Sequence, residues 1–167
     1  ATLAPLKLFR ACVFVLLSAT AAMGEPRFSL QAPGADEDLR DALSAASLVL
    51  ATRGEDTDAQ ELLAAAQADY ARLLGALYAN ARYGGVISIR FDGREVASIP
   101  PLAPPRDVRE VTLRIDPGPI YRFSQAEVAP VARNTEVPEG FRRGLPAQTG
   151  IIQETATAAI DAWRAQG

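Results

Sequence analysis

Four short segments of the sequence alternate between apolar and polar residues, which predicts strands that are buried on one face only. These segments are residues 27–31, 86–92, 111–116 and 121–128. Turn-forming residues end the middle two, with Asp92-Gly93 after the second segment and Pro117-Gly118 after the third. The predicted strands are therefore short and separated by clear breaks.

Three other segments show the periodicity of helices. The first spans residues 36–54, beginning with negative charge at Asp36, where the helix dipole favours it, and ending at Gly54. The second begins at Thr57, whose spacing to Gln60 is that of a capping box, and ends at Tyr83. The third runs from about residue 149 to 163. The predicted order is strand, helix, helix, strand, strand, then a new strand and helix.

Apolar residues at helical spacing predict which faces of these helices are buried. In the first helix they are Leu39, Leu43, Ala46, Val49 and Leu50. In the second they are Leu62, Leu63, Ala66, Tyr70, Leu73, Leu74, Leu77 and Tyr78, while Gln60, Glu61, Gln67, Asp69, Arg72 and Asn80 are predicted to face elsewhere. In the third they are Ile152, Ala156, Ala159 and Trp163.

Residues 1–24 have the pattern of a signal peptide. Lys7 and Arg10 precede an apolar run over residues 11–22, and small residues follow at cleavage spacing, before Glu25 or before Ala22. The run is too short for a bilayer core of about 30 Å, which takes about 20 residues. The sequence therefore predicts export to the periplasm or the cell exterior.

Composition narrows the chemistry of the exported part. The chain has no histidine, and its single lysine and single cysteine, Lys7 and Cys12, both lie in the predicted signal peptide. Imidazole bases, Schiff-base lysines, thiolates and zinc sites of His or Cys are excluded after cleavage. Without Lys7 and Arg10, 15 basic residues face 20 acidic ones, a net charge of −5 that disfavours nucleic acid as a partner. We therefore expect a binding module that is not an enzyme and has no cofactor and no metal.

The element order and several local runs resemble a POTRA domain. Residues 73–78 and 83–89, together with Ile99-Pro100-Pro101-Leu102, are similar to the N-terminal periplasmic part of TamA-like proteins, the outer-membrane subunits of the translocation and assembly module. The resemblance covers roughly residues 27–167. Arg82 stands where the family commonly has glycine, which predicts a helix end without the usual left-handed cap.

The resemblance implies an α+β fold, a POTRA-like β-α-α-β-β unit with two helices on one face of a three-stranded sheet. This unit would span residues 25–119, and residues 120–167 would begin a second, incomplete unit. The family implies a location in the periplasm, attached to the outer membrane through the protein's own C-terminal barrel, which these 167 residues do not contain. The implied partners are unfolded outer-membrane proteins or autotransporters and an inner-membrane subunit.

Such a sheet leaves an edge to which an extended peptide can add by main-chain hydrogen bonds, a mode called β-augmentation. The candidate edge is the segment 86–92, because its outward face is polar and Gly84-Gly85 would leave its backbone accessible. The candidate binding residues are therefore Val86, Ile87, Ser88, Ile89, Arg90, Phe91 and Asp92. The same strand could instead pack against a neighbouring domain, because sheet order is not readable from the sequence.

Other functions have weaker support. Two acidic clusters, residues 36–38 and 55–61, could supply paired carboxylates for glycoside hydrolysis, but helix capping accounts for both. Asp56 and Asp58 lack the remaining ligands of a calcium loop. The POTRA module of a two-partner secretion transporter is a near alternative. A membrane-anchored cell-division scaffold is a more distant one, because it would retain its N-terminal span.

Overall fold

The computed structural model describes residues 24–167. The predicted signal peptide lies outside the described residues except for Gly24. The strands are β1 (Arg27–Gln31), β2 (Val86–Phe91), β3 (Arg94–Glu95) and β4 (Glu110–Asp116). The helices are α1 (Glu37–Ala46), α2 (Leu48–Ala51), α3 (Ala59–Ala79) and α4 (Thr149–Arg164), with a short 3₁₀ helix at Val96–Ser98. The predicted α+β class is confirmed.

The strands form one mixed sheet in the order β1-β4-β2-β3. β1 runs parallel to β4, with Phe28 opposite Val111, and β2 runs antiparallel to β4, with Ile89 opposite Leu113. The predicted three strands are present, and β3 adds two residues beside the end of β2. A tight turn connects β2 to β3 through Asp92 and Gly93, both with positive φ (48° and 83°), as such hairpins require.

Alternation along the strands produces a sheet with one apolar and one polar face. Ile89, Val111 and Leu113 are fully buried against the helices, while Ser29 and Thr112 on the other face share a hydrogen bond. The buried helical residues close the core on the apolar side: Leu39, Leu43, Val49, Leu62, Leu63, Ala66, Leu73 and Leu77. The prediction of the apolar stripes of the first two helices is thus confirmed at these positions.

The first predicted helix is in fact two. It breaks at Ser47, whose extended backbone (ψ 120°) ends α1 and whose hydroxyl caps α2 by accepting the N–H of Leu50. Asp69 of α3 stabilises this break, because its carboxylate accepts hydrogen bonds from the Ser47 hydroxyl and from the N–H groups of Leu48 and Val49. Asp69 was predicted to face away from the core, and this was wrong, since it is fully buried.

Two predictions about helix ends also need correction. α3 begins one residue later than predicted, because Asp58 is the N-cap and accepts the N–H of Glu61. Its C-terminus does have a left-handed cap, supplied by Ala81 at φ 57°. The N–H of Arg82 reaches the carbonyl of Leu77 at 2.8 Å and that of Ala81 reaches Tyr78 at 3.0 Å, which is a Schellman motif built without glycine.

The C-terminal part, residues 120–167, departs furthest from expectation. The strand predicted at 121–128 is absent, and a single bridge joins Arg122 to Pro146. α4 is present, but it buries Thr155 and Ala159, while the predicted core residues Ile152 and Trp163 remain 42% and 47% exposed. Its predicted buried face was therefore wrong except at Ala159.

The two parts of the chain meet at the C-terminal end of α3. Tyr83 packs between the rings of Tyr78 and Tyr121, with centroid distances of 4.9 and 5.7 Å. The hydroxyl of Tyr83 donates to the carbonyl of Ala147, and the hydroxyl of Thr149 donates to that of Tyr78 at 3.0 Å. These contacts fix the start of α4 against the end of α3. The division at residue 119 stays a prediction.

Candidate functional site: the two edges of the sheet

The predicted binding strand, β2, lies between β4 and the short β3. In an antiparallel ladder the N–H and C=O of one residue point to the same side, and neighbours alternate. The N–H of Asp92 bonds to the carbonyl of Glu110. By this alternation, the backbone groups also bond toward β4 at Val86, Ser88 and Arg90. The backbone N–H and C=O groups therefore point to the other edge of β2 at Ile87, Ile89 and Phe91.

Two of those three outward positions are already occupied. Phe91 pairs with Arg94 of β3. The N–H of Ile89 donates to the carboxylate of Glu95 at 3.1 Å. β3 turns into the 3₁₀ helix directly after Glu95, so this side chain stands where the backbone of a longer β3 would have paired.

A set of side chains holds Glu95 in that position. Its carboxylate accepts hydrogen bonds from the hydroxyls of Tyr70 and Ser88 (the latter at 2.7 Å) and is 3.4 Å from the Arg90 guanidinium. The hydroxyl of Tyr70 also lies 3.4 Å from the carbonyl oxygen of Ile89. Both outward backbone groups of Ile89 are therefore covered by side chains of the same protein.

The electrostatics of this pair follow from its contacts. Partial burial raises the pKa of Tyr70 to about 12, and the hydrogen bond to Glu95 acts in the same direction. Partial burial alone would raise the pKa of Glu95. The hydrogen bonds from Tyr70, Ser88 and the N–H of Ile89 outweigh this effect, so the pKa of Glu95 lies below its ordinary value. At neutral pH a phenol therefore donates to a carboxylate, the stronger kind of hydrogen bond.

Ile87 is thus the one outward-facing residue of β2 whose backbone N–H and C=O bond to no backbone or side-chain group among residues 24–167. Gly85, which precedes β2, has a packing role of its own. A Cβ on Gly85 would lie 2.6 Å from Leu77 Cδ1 and 3.2 Å from the carbonyl oxygen of Asp116. Gly85 is needed for the close approach of α3 and β4. The role of residues 86–92 in peptide binding stays a prediction, and the open backbone within them is limited to Ile87.

The opposite edge of the sheet is β1, which the sequence did not single out. The N–H of Arg27 bonds to the carbonyl of Arg109 at 2.9 Å, so Arg27, Ser29 and Gln31 direct their backbones toward β4. Phe28 and Leu30 then direct theirs outward, and no backbone or side-chain group of residues 24–167 bonds to them. Their outward groups are spaced two residues apart, about 6.6 Å at the usual strand rise.

Some of these features had signals in the sequence. A two-residue Asp-Gly turn fixes the register of a hairpin, and this register places Glu95 beside the edge of β2 that faces away from β4. The pairing of β1 with β4 had no local signal, since Ser29 and Thr112 are 83 residues apart.

The acidic clusters of the sequence lie at the starts of helices. Asp36 accepts the N–H of Leu39 at 2.9 Å and caps α1, as Asp58 caps α3, so the capping interpretation is confirmed. Glu55, Asp56 and Asp58 line an open cleft of about 1010 Å³. Three arginines, Arg27, Arg106 and Arg109, line the same cleft. Within residues 24–167 no group of three or more acidic side chains is placed to hold a metal ion.

Comparison with models of known protein families and with curated proteins found no match for this chain. No helix within residues 24–167 has both the length and the apolar character needed to cross a bilayer.

Proposed function

We propose that this chain is the periplasmic POTRA region of an outer-membrane assembly or translocation factor. It binds unfolded outer-membrane or autotransporter polypeptides by β-augmentation and performs no catalysis. Its partners are these clients and an inner-membrane subunit. A C-terminal barrel outside the 167 residues attaches it to the outer membrane.

The observation that carries the proposal is a sheet that is covered by helices on one face and has an unpaired edge. Phe28 and Leu30 together offer two N–H and two C=O groups to an incoming strand. The order of elements, β1, then α1 to α3, then β2 to β4, is compatible with the β-α-α-β-β unit of the resemblance.

Edge recognition suits a protein that handles many clients. Main-chain hydrogen bonds depend on the backbone alone, so clients with different side chains can occupy the same edge. The polar face of the sheet and the apolar face behind it remain undisturbed when a strand is added. Affinity then depends little on salt, since no ion pair between protein and client is required.

The test is a binding measurement with matched clients. A fluorescently labelled outer-membrane barrel protein is diluted from urea into the chain, and binding is followed by fluorescence anisotropy. The control client is the same polypeptide already folded in detergent micelles, where every strand is paired and no edge is free. We expect saturable binding of the unfolded form alone, with a similar Kd at low and high salt. Equal binding of both forms, or none of either, would refute the proposal.

A further inference from the structure

β1 has an apolar face and a polar face, and both faces extend to the unpaired edge of the sheet. Phe28 and Leu30 are partly buried on the helix side and pack against the core. Ser29 faces the opposite, polar side, where it bonds Thr112. Arg27 and Gln31 share that polar face and are exposed. A strand added to this edge continues both faces of the sheet, because side chains of paired residues point the same way.

We propose that the β1 edge selects an amphipathic strand, one in which apolar and polar residues alternate with period two. This inference rests on the proposed function and assigns it an edge and a sequence pattern. Residues of the client opposite Phe28 and Leu30 extend the apolar layer, and the residue opposite Ser29 extends the polar face. A one-residue slip in register would place apolar side chains on the polar face, so the pattern is recognised along with the backbone.

The comparison of the two edges favours β1. Native proteins block edges with charged side chains, bulges, prolines or very short strands. The β2 edge has two such devices, the two-residue β3 and the inward-pointing Glu95. β1 has five residues, contains no proline, and pairs with β4 in an uninterrupted register. The β2 edge is therefore covered except at Ile87, while both outward-facing residues of β1, Phe28 and Leu30, are unpaired among the described residues.

The client class follows from the same pattern. Strands of membrane barrels alternate strictly between apolar residues facing lipid and polar residues facing the lumen. An unfolded segment of that kind has apolar residues at every second position. These residues can lie opposite Phe28 and Leu30 and extend the apolar face of the sheet. A uniformly polar segment, or one with its apolar residues in a block, lacks this match.

Two synthetic peptides test the pattern. Both contain the same valines and threonines over about nine residues, the length of a membrane strand, and both have lysine pairs at the ends for solubility. One alternates Val and Thr, and the other groups all valines together. Binding to the isotope-labelled chain is followed by NMR, together with hydrogen exchange at the amides of Phe28, Leu30 and Ile87. We expect tighter binding of the alternating peptide and slower exchange at Phe28 and Leu30 with no change at Ile87.

A pair of variants tests the edge. Leu30→Pro and Ile87→Pro each remove one outward N–H and one half-buried aliphatic side chain, at opposite edges of the sheet. Leu30→Pro should weaken binding of the alternating peptide about 5-fold, the effect of one main-chain hydrogen bond, and Ile87→Pro should leave it unchanged. Circular dichroism reports whether each variant folds. If one variant does not fold, the hydrogen-exchange data on the unaltered protein show which edge binds the peptide.

The outcomes separate the inference from the proposed function. Binding of the unfolded barrel protein without protection at Phe28 and Leu30, or with equal affinity for both peptides, overturns the inference and leaves the binding of unfolded clients standing. Protection at Ile87 in place of Phe28 and Leu30 assigns binding to the β2 edge and also overturns it. If the unfolded barrel protein itself does not bind, the function fails and the inference fails with it.

Discussion

The carboxylate of Glu95 receives the N–H of Ile89 at 3.1 Å, on the side of β2 where another strand would otherwise pair. A side chain thus satisfies a backbone group that a longer β3 would have satisfied. The consequence is a sheet with unequal edges, since no group among the described residues bonds to the outward N–H or C=O of Phe28 or Leu30. The covered β2 edge and the unpaired β1 edge can each be tested separately.

Replacing Glu95 by alanine should uncover the β2 edge. The N–H of Ile89 then loses its partner, and its exchange rate should rise about 5-fold, equivalent to roughly 1 kcal/mol for one hydrogen bond. Native-state hydrogen exchange measures this directly. Glu110→Ala is the control, because it removes an exposed acid from the neighbouring strand and leaves Ile89 bonded. An unchanged rate at Ile89 in Glu95→Ala would mean that the carboxylate does not protect this edge.

The phenol of Tyr70 should titrate at an unusually high pH. Its pKa is raised to about 12, by partial burial first and then by the Glu95 carboxylate, whereas an unfolded tyrosine titrates near pH 10. Folding therefore favours the protonated form. The stabilisation is fully present below about pH 10 and is lost as the pH rises through about 12.

The measurement is the difference in ultraviolet absorbance between the unaltered protein and Tyr70→Phe across the alkaline range. We expect a midpoint near 12 in this difference and a lower midpoint in Glu95→Gln, where the neighbouring negative charge is gone. A midpoint near the value of about 10 for free tyrosine would show that the Tyr70–Glu95 contact does not persist in solution.

Asp69→Ala should be among the most destabilising single changes. The buried carboxylate accepts the Ser47 hydroxyl and the N–H groups of Leu48 (2.7 Å) and Val49 (3.1 Å). Removing it leaves three donors without their partner at the break between α1 and α2. We expect a loss of about 3–5 kcal/mol in the free energy of unfolding, measured by urea denaturation. The exposed Asp41→Ala on α1 should change it by less than about 0.5 kcal/mol. Similar values for the two variants would contradict this account of the break.

Two glycine replacements should have opposite effects. Gly85→Ala places a methyl group 2.6 Å from Leu77 Cδ1 and should cost about 1–3 kcal/mol, the usual range for overpacking. Gly75→Ala lies within α3 with open space around the new Cβ and should stabilise by about 1 kcal/mol. Thermal unfolding of both variants tests the pair. A stabilising Gly85→Ala would mean that α3 and β4 are not in close contact at this point.

The local elements were largely predictable from the sequence because their signals are local. Period-two alternation located β1, β2 and β4 to within a residue, and the apolar stripe of α3 identified most of its buried side chains. Polar residues at helix starts located the caps, with an error of one residue at Asp58. Each of these features depends on neighbours within a few positions of the chain.

The predictions that were wrong or missing concern features that depend on residues far apart in the sequence. Asp69 looks like a solvated residue until Ser47, 22 positions earlier, is placed against it. Tyr121–Val128 has strand-like alternation but no strand to pair with, so it remains irregular apart from one bridge. The open edge at β1 exists because β4 pairs with both β1 and β2, which no short-range pattern encodes.

The most direct test of polypeptide capture by strand addition is NMR detection of hydrogen bonds between protein and client. Scalar coupling across an N–H···O=C bond joins the amide nitrogen of one chain to the carbonyl carbon of the other. With a labelled unfolded barrel segment bound, we predict such couplings from the amides of Phe28 and Leu30 to client carbonyls. A bound client without any intermolecular main-chain coupling, with its contacts confined to the helices, would contradict the account.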